Sequence, residues 1–236
     1  MEAAGAMTVL PYSMNWIRPI RPFAYALTLL ERKGRLPLWG RLISPLCGLA
    51  DSATRRMVDT PYRVNGSVYV RDSIDEEALM EVISRVSRGK SIAPVYEKPT
   101  LGWILGNLRS NRHRGEFRGF LIQSPAGRPM GSCLYYRKAN GVCEVVHMAC
   151  EAAAAGDLLK CLVNRVWREG ACCVFGRLEP EFTATLWDHH CVMKRGAWTV
   201  AHSRDPLIID RILRGDIFLT GLEGELWMNS PKDFDE

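Results

Sequence analysis

The stretch EFRGFLIQSPAGRPMGSCLYYRKANGVCEVVHMACEAAAAGDLLKCLVNRVWREGACCVFG, residues 116–176, decides the fold. Residues 117–124, 130–137 and 142–149 read as three strands joined by two turns, Pro125-Ala126-Gly127-Arg128 and Ala139-Asn140-Gly141. Asn-Gly between apolar runs is a strong hairpin signal, because both positions tolerate positive φ. A helix is expected over residues 157–169. There Leu158, Leu159, Leu162, Val163, Val166 and Trp167 form one stripe and Asp157, Lys160, Asn164, Arg165 and Arg168 the other. Gly170 should end it. Residues 171–175 are then wholly apolar, as a strand in the middle of a sheet is.

Downstream, a helix is expected over residues 180–189, followed by one long last strand over residues 192–201. Upstream, residues 67–71 read as a short strand. Asp72 or Ser73 is expected to cap a helix whose apolar face is Leu79, Val82, Ile83 and Val86, closed by Gly89. A second helix should start after Pro99 and carry Leu101, Trp103, Ile104, Leu105 and Leu108.

The first 61 residues differ in character. Pro11, Pro19, Pro22, Pro37 and Pro45, with Gly34, Gly40 and Gly48, allow only short helices, expected at residues 23–33 and 42–57. The boundaries are therefore 1–61 for an N-terminal helical appendage, or the remnant of a preceding unit, and 62–236 for the α/β domain. Arg18, Arg21, Arg32, Lys33, Arg35 and Arg41 are mixed here with Trp16, Ile17, Phe23 and Trp39. Two readings stand: weak peripheral membrane contact, or docking of these apolar groups on the main domain.

Composition narrows the function classes. In 236 residues that are 47% hydrophobic there is material for one good core. A net charge of +5, from 31 basic residues spread among 26 acidic ones, argues against a dedicated nucleic-acid binder. Eight cysteines lie mostly inside apolar strand and helix patterns, as reduced thiols of a cytoplasmic protein do. No apolar run is long enough to span a membrane, and the N-terminal residues lack the pattern of a signal peptide. His189, His190, Cys191, Cys172 and Cys173 have no recognised metal-ligand spacing, so no metal site is expected.

An antiparallel meander with a helical crossover into a buried strand resembles the GNAT, or GCN5-related, N-acyltransferase superfamily over residues 68–201. The likeness is closer to proteins with two such units in tandem. In those, Ile17-Arg18-Pro19-Ile20-Arg21-Pro22 is similar to the end of the first unit. The tract at residues 96–106 and the ending at residues 218–227 are similar to parts of the second. The resemblance implies a mixed, mostly antiparallel central sheet flanked by helices. It also implies a cleft where the strand at 142–149 splays from the strand at 171–175, holding acetyl-CoA or another acyl-CoA.

Within that likeness, Cys150-Glu151-Ala152-Ala153-Ala154-Ala155-Gly156-Asp157 occupies the place of the family's Gln/Arg-x-x-Gly-x-Gly/Ala phosphate loop. Ala153 and Ala155 stand at its glycines, and Cys150 or Glu151 at its first position. Expected cofactor contacts are Met148, Cys150, Ala152, Ala153, Ala154, Ala155, Gly156 and Asp157. Alanine retains the N–H but disfavours positive φ by about 1 kcal/mol, and Glu151 and Asp157 would flank an anionic pyrophosphate. For catalysis the resemblance implies a base among Glu144 and His147, expected on opposite faces of their strand because side chains alternate. The family's thiolate-protonating tyrosine has no counterpart, and His190 beside His189 and Cys191 is the nearest donor. The implied reaction is acyl transfer to an amine or amino-sugar acceptor, in a monomer or a dimer. The competing reading is a catalytically silent module that binds a ligand or a protein.

Overall fold

The computed structural model describes residues 6–32, 34 and 68–223. Its main sheet has seven strands in the order β3-β4-β5-β6-β7-β2-β8. In chain order they are β2 (Met14–Pro19), β3 (Tyr69–Arg71), β4 (Glu116–Gln123), β5 (Pro129–Arg137), β6 (Val142–Cys150), β7 (Cys173–Arg177) and β8 (Val192–Arg195). Every neighbouring pair is antiparallel except β6 and β7, which are joined by a helical crossover and run parallel.

Local chemistry accounts for the meander. At the β5–β6 turn Gly141 takes φ 78°, and the Lys138 N–H donates to the Val142 carbonyl at 2.9 Å. All nine residues of β6 are buried, as a strand covered on both faces requires.

Two helical layers cover the sheet. Four described helices precede β7: α1 (Pro22–Arg32), α2 (Glu76–Val86), α3 (Lys98–Ser110) and α4 (Ala155–Arg168). On one face α4 presses Leu158, Leu159, Leu162, Val163 and Val166 onto Phe120, Cys133, Tyr135, Cys143 and Val145. On the other, Leu79, Val82 and Ile83 of α2 and Leu101, Leu105 and Leu108 of α3 meet Leu121, Leu134, Tyr136 and Val146. Each fully buried Leu or Val contributes roughly 1.5–3 kcal/mol against solvent exposure. The cap of α2 is Asp75, whose carboxylate accepts from the Ala78 N–H at 2.7 Å, rather than Asp72 or Ser73. Gly170, at φ 84°, ends α4 as expected. The Gly170 and Ala171 N–H groups donate back to Trp167 and Val166.

The N-terminal segment departs from the helical appendage expected for residues 1–61. Residues 23–32 are helical as read, but β2 lies between β7 and β8, inside the domain's own sheet. Trp16 is buried opposite Gly176, where a Cβ would stand 3.2 Å from the indole. Of the prolines that argued for broken helices, Pro11 and Pro19 instead bound a strand, with Pro19 on its last ladder position, where a missing N–H is tolerated. The helix expected at residues 42–57 and the end of the tract at 218–227 lie outside the described residues.

The last strand is likewise two. β8 stops at Arg195, and after Gly196-Ala197-Trp198 the chain forms β9 (Val200–His202), which pairs with β1 (Ala6–Thr8) in a separate two-stranded sheet. The helix read at residues 180–189 is a 3-10 turn, Pro180–Phe182, followed by α5 (Thr183–Asp188), and α6 (Pro206–Leu213) follows β9.

Candidate functional site

The parallel pair at the centre of the sheet comes apart. β6 and β7 are in register from Val142 opposite Cys173 to Val145 opposite Gly176, and pairing stops there while β6 runs on to Cys150. No described strand pairs with the β7-facing edge of β6 beyond Val145. A β-bulge marks the parting. Leu134 of β5 faces His147, but the next residue, Tyr135, faces Val145, so Val146 is the extra residue.

That bulge overturns the expectation that Glu144 and His147 face opposite ways. Strict alternation would separate residues three apart, but one extra residue restores them to the same face, that of α2 and α3. Glu144 there accepts from Arg114 at 2.5 Å and pairs with Lys138 at 3.2 Å, with only 3% of its side chain exposed. It is the counter-charge of two cations.

His147 is fully buried between two hydroxyls, Ser132 Oγ at 2.9 Å from Nε2 and Thr220 Oγ1 at 3.0 Å from Nδ1. Thr220 donates its own proton to Glu223 at 2.7 Å, so it accepts from Nδ1–H, leaving Nε2 to accept from Ser132. Burial lowers the imidazole pKa to about 3. The ring stays neutral at physiological pH, and its one lone pair is taken. The relay Ser132–His147–Thr220–Glu223 ties the segment at residues 217–223 to the sheet.

At the end of β6 the alanine tract folds as a 3-10 turn, Ala152–Ala154, running straight into α4. No residue from 150 to 157 has positive φ. The Ala154 N–H donates to Glu151 and the Ala155 N–H to Ala152, so two amides expected to face a phosphate are committed within the turn. Alanine favours this helical extension where glycine would favour an open loop. Met148 and Cys150 are buried on the splayed part of β6, and burial pushes the Cys150 thiol pKa well up.

The charges differ from expectation too. Glu151 turns away from α4: Arg128 reaches its carboxylate at 3.0 Å and Arg85 at 3.4 Å. Asp157 stays in the first turn of α4 with Lys160 4.0 Å away. Where a Cβ on Gly156 would stand, His189 Nε2 is 3.9 Å distant. The His189 pKa is lowered by burial first and then by the charges of Lys160 and Arg18. Arg18 and Lys160 thus place cationic groups beside His189 near the start of α4. Arg18 comes from β2 and was not expected at this place.

His190 caps a helix. It is the one described non-glycine residue with positive φ, 55°; its N–H donates to Trp187 and that of Cys191 to Leu186, the pairing Gly170 makes for α4. Its carbonyl accepts from Arg18 at 3.0 Å. Neighbouring Cys191 is buried, with its thiol pushed up to about 11.

One residue escaped the sequence reading. Glu179 follows β7 at the point of parting, and it is buried. Its Oε2 has no hydrogen-bond partner among the described residues. Desolvation raises its pKa well above the carboxylate range, with Arg177 opposing and Glu181 and Glu223 adding. The only sequence signal was a Glu-Pro-Glu after an apolar strand, which reads equally well as a solvated helix start.

A mostly antiparallel sheet between two helical layers, opened along one parallel pair beside the crossover helix, has the layout of a GNAT-like fold. Solved structures with a similar course include Saccharomyces cerevisiae N-myristoyltransferase with bound myristoyl-CoA, at TM-score 0.49 and 11% identity, covering 80% of this chain and 49% of that one. A GCN5-related N-acetyltransferase from Sphaerobacter thermophilus gives 0.41 and 14%, over 58% of this chain and 45% of that one. A conserved protein from Enterococcus faecalis V583, described as a probable N-acyltransferase, gives 0.44 and 12%, over 84% and 41%. The chain thus spans about half the length of these structures or less. No family model and no curated protein matches the sequence. No described helix is long and apolar enough to cross a membrane.

Proposed function

We propose that the chain binds an acyl-CoA in the opening between β6 and β7 and transfers the acyl group to an amine. The observation that carries this reading is the parting of the parallel pair after Val145 and Gly176, directly before the start of α4. An extended pantetheine arm fits the unpaired edge of β6 at Met148 and Cys150, taking up backbone hydrogen bonds as an added strand would. The pyrophosphate then lies near the first turn of α4, at Ala152, Ala153, Ala154, Ala155, Gly156 and Asp157. A helix N-terminus favours negative charge there, and Arg18 and Lys160 complement it. Binding asks Ala154 and Ala155 to loosen their turn bonds or leaves the contact to the other amides.

The acyl donor is acetyl-CoA or a longer acyl-CoA, and the acceptor an amine or amino sugar. Transfer proceeds by direct attack of the amine on the thioester. Glu144 and His147 support this site from the neighbouring face: the first is held by two cations and the second is neutral and doubly bonded. Those two facts favour the second reading, a module that binds a CoA ester without turnover. The test is incubation with acetyl-CoA and a panel of primary amines and amino sugars, followed by mass spectrometry. Acetylated amine with matching release of CoA supports the enzyme; binding without product supports the silent module.

A further inference from the structure

The carboxyl of Glu179 has no structural employment. Its charged and titratable neighbours all have partners of their own. Arg177 donates to the Leu219 carbonyl at 3.0 Å and lies over the Tyr12 ring, whose hydroxyl donates to Ile217 at 3.4 Å. Lys90 lies 3.4 Å from Glu181, and Glu223 accepts from Tyr96 and from Thr220. Among the described residues Glu179 makes no ion pair within 4 Å, and its Oε2 is buried and unbonded. A buried polar group left in this state costs on the order of 1–3 kcal/mol, so its retention calls for a role.

Its position suggests one. Glu179 is buried on the chain leaving β7, two residues past Arg177, the last residue of that strand. Pairing with β6 has already stopped at Gly176, so the residue leaves the sheet at the opening where the proposed acyl-CoA would lie. The residue also supplies what the sequence lacks, because exposed Trp187 and capping His190 fill the region where a proton-donating tyrosine was sought.

We infer that Glu179 is the proton shuttle of the acyl transfer, facing the sulfur of a bound acyl-CoA thioester. This rests on the acyl-transfer reading. A neutral amine attacks the thioester carbonyl and the C–N bond forms. As the C–S bond breaks, the carboxyl gives its proton to the departing thiolate, and the carboxylate so formed takes the proton shed by the new amide nitrogen. Amine plus acyl thioester become amide plus free thiol, and Glu179 returns to its acid form. Burial supports this role, because it raises the carboxyl pKa and so favours the acid form that donates the proton.

The test uses the full chain, free CoA and desulfo-CoA, which lacks the thiol, read by infrared difference spectroscopy alongside calorimetry. At pH 7 the wild type should show a protonated-carboxyl band that moves on isotope labelling of glutamate and is lost in E179Q. Free CoA should shift that band and desulfo-CoA should not, with affinities for the two agreeing within a few-fold. If both bind and leave the band unmoved, or move it equally, Glu179 does not face the sulfur and the shuttle is wrong while the acyl-transfer reading stands. If neither binds, the acyl-transfer reading itself fails and takes the shuttle with it. Isotope labelling makes the assignment in the wild type, so the test survives an E179Q variant that does not fold.

Discussion

Glu144 and His147 project from the same face of β6, although three positions separate them, because Val146 is an extra residue in the ladder. The bulge places one beside Arg114 and Lys138 and the other between Ser132 and Thr220, so both are engaged before any ligand arrives.

Removing the Glu144 charge should therefore be felt in stability. E144Q removes the buried carboxylate that Arg114 and Lys138 share, and a loss of about 3 kcal/mol is expected. Urea denaturation measures it. A change below about 1 kcal/mol would mean that the carboxylate is not the keystone of this pair of ion contacts.

His147 gives stability a pH signature. Its folded pKa is near 3 and its ordinary value 6.5, so the unfolded chain binds more protons between those values. The stabilisation is complete above about pH 6.5 and is lost as pH falls toward 3, by up to about 1.4 kcal/mol per pH unit. Denaturation midpoints of wild type and H147N at stepped pH should diverge in slope across that window and run parallel above it.

Trp16 tests whether the N-terminal segment belongs to the domain. It is 1% exposed and packs between β7 and β8, so W16A should cost about 3–5 kcal/mol, as deletion of a core aromatic does. A detachable appendage would lose its own structure and leave the unfolding midpoint of the sheet unchanged.

His190 should be improvable. It pays for a left-handed conformation that glycine adopts freely, and its contact to Arg18 uses the backbone carbonyl, which glycine keeps. H190G should raise stability by about 1 kcal/mol, read as a higher melting temperature. A fall would show that the side chain makes a contact worth more than the backbone strain.

The parts legible in the sequence were those encoded locally. Asn140-Gly141 fixed a hairpin, and the stripe from Leu158 to Val166 fixed α4 to within two residues at its start. Gly170 fixed the stop. What escaped is encoded by distant pairing. Trp16 is a strand residue only because Gly176 has no side chain to meet it. The bulge at Val146 follows from how β5 and β6 align, and no alternation rule applied to β6 alone reveals it. At the candidate site, the alanine tract was legible as a departure from an open phosphate loop. That Glu151 would turn to Arg85 and Arg128, and that Arg18 would arrive from β2, depends on tertiary placement alone.

The central claim is that the opening between β6 and β7, with the start of α4, holds a CoA ester. A thermal-shift titration of the full chain with free CoA, run beside A153E at an exposed position of the turn before α4, tests it most directly. At about one hundred times its dissociation constant the ligand should add roughly 2.7 kcal/mol of stability to the wild type. The variant, with an added carboxylate in the turn that leads into α4, should show much less. No shift in the wild type at millimolar CoA, or an equal shift in both proteins, would contradict the account.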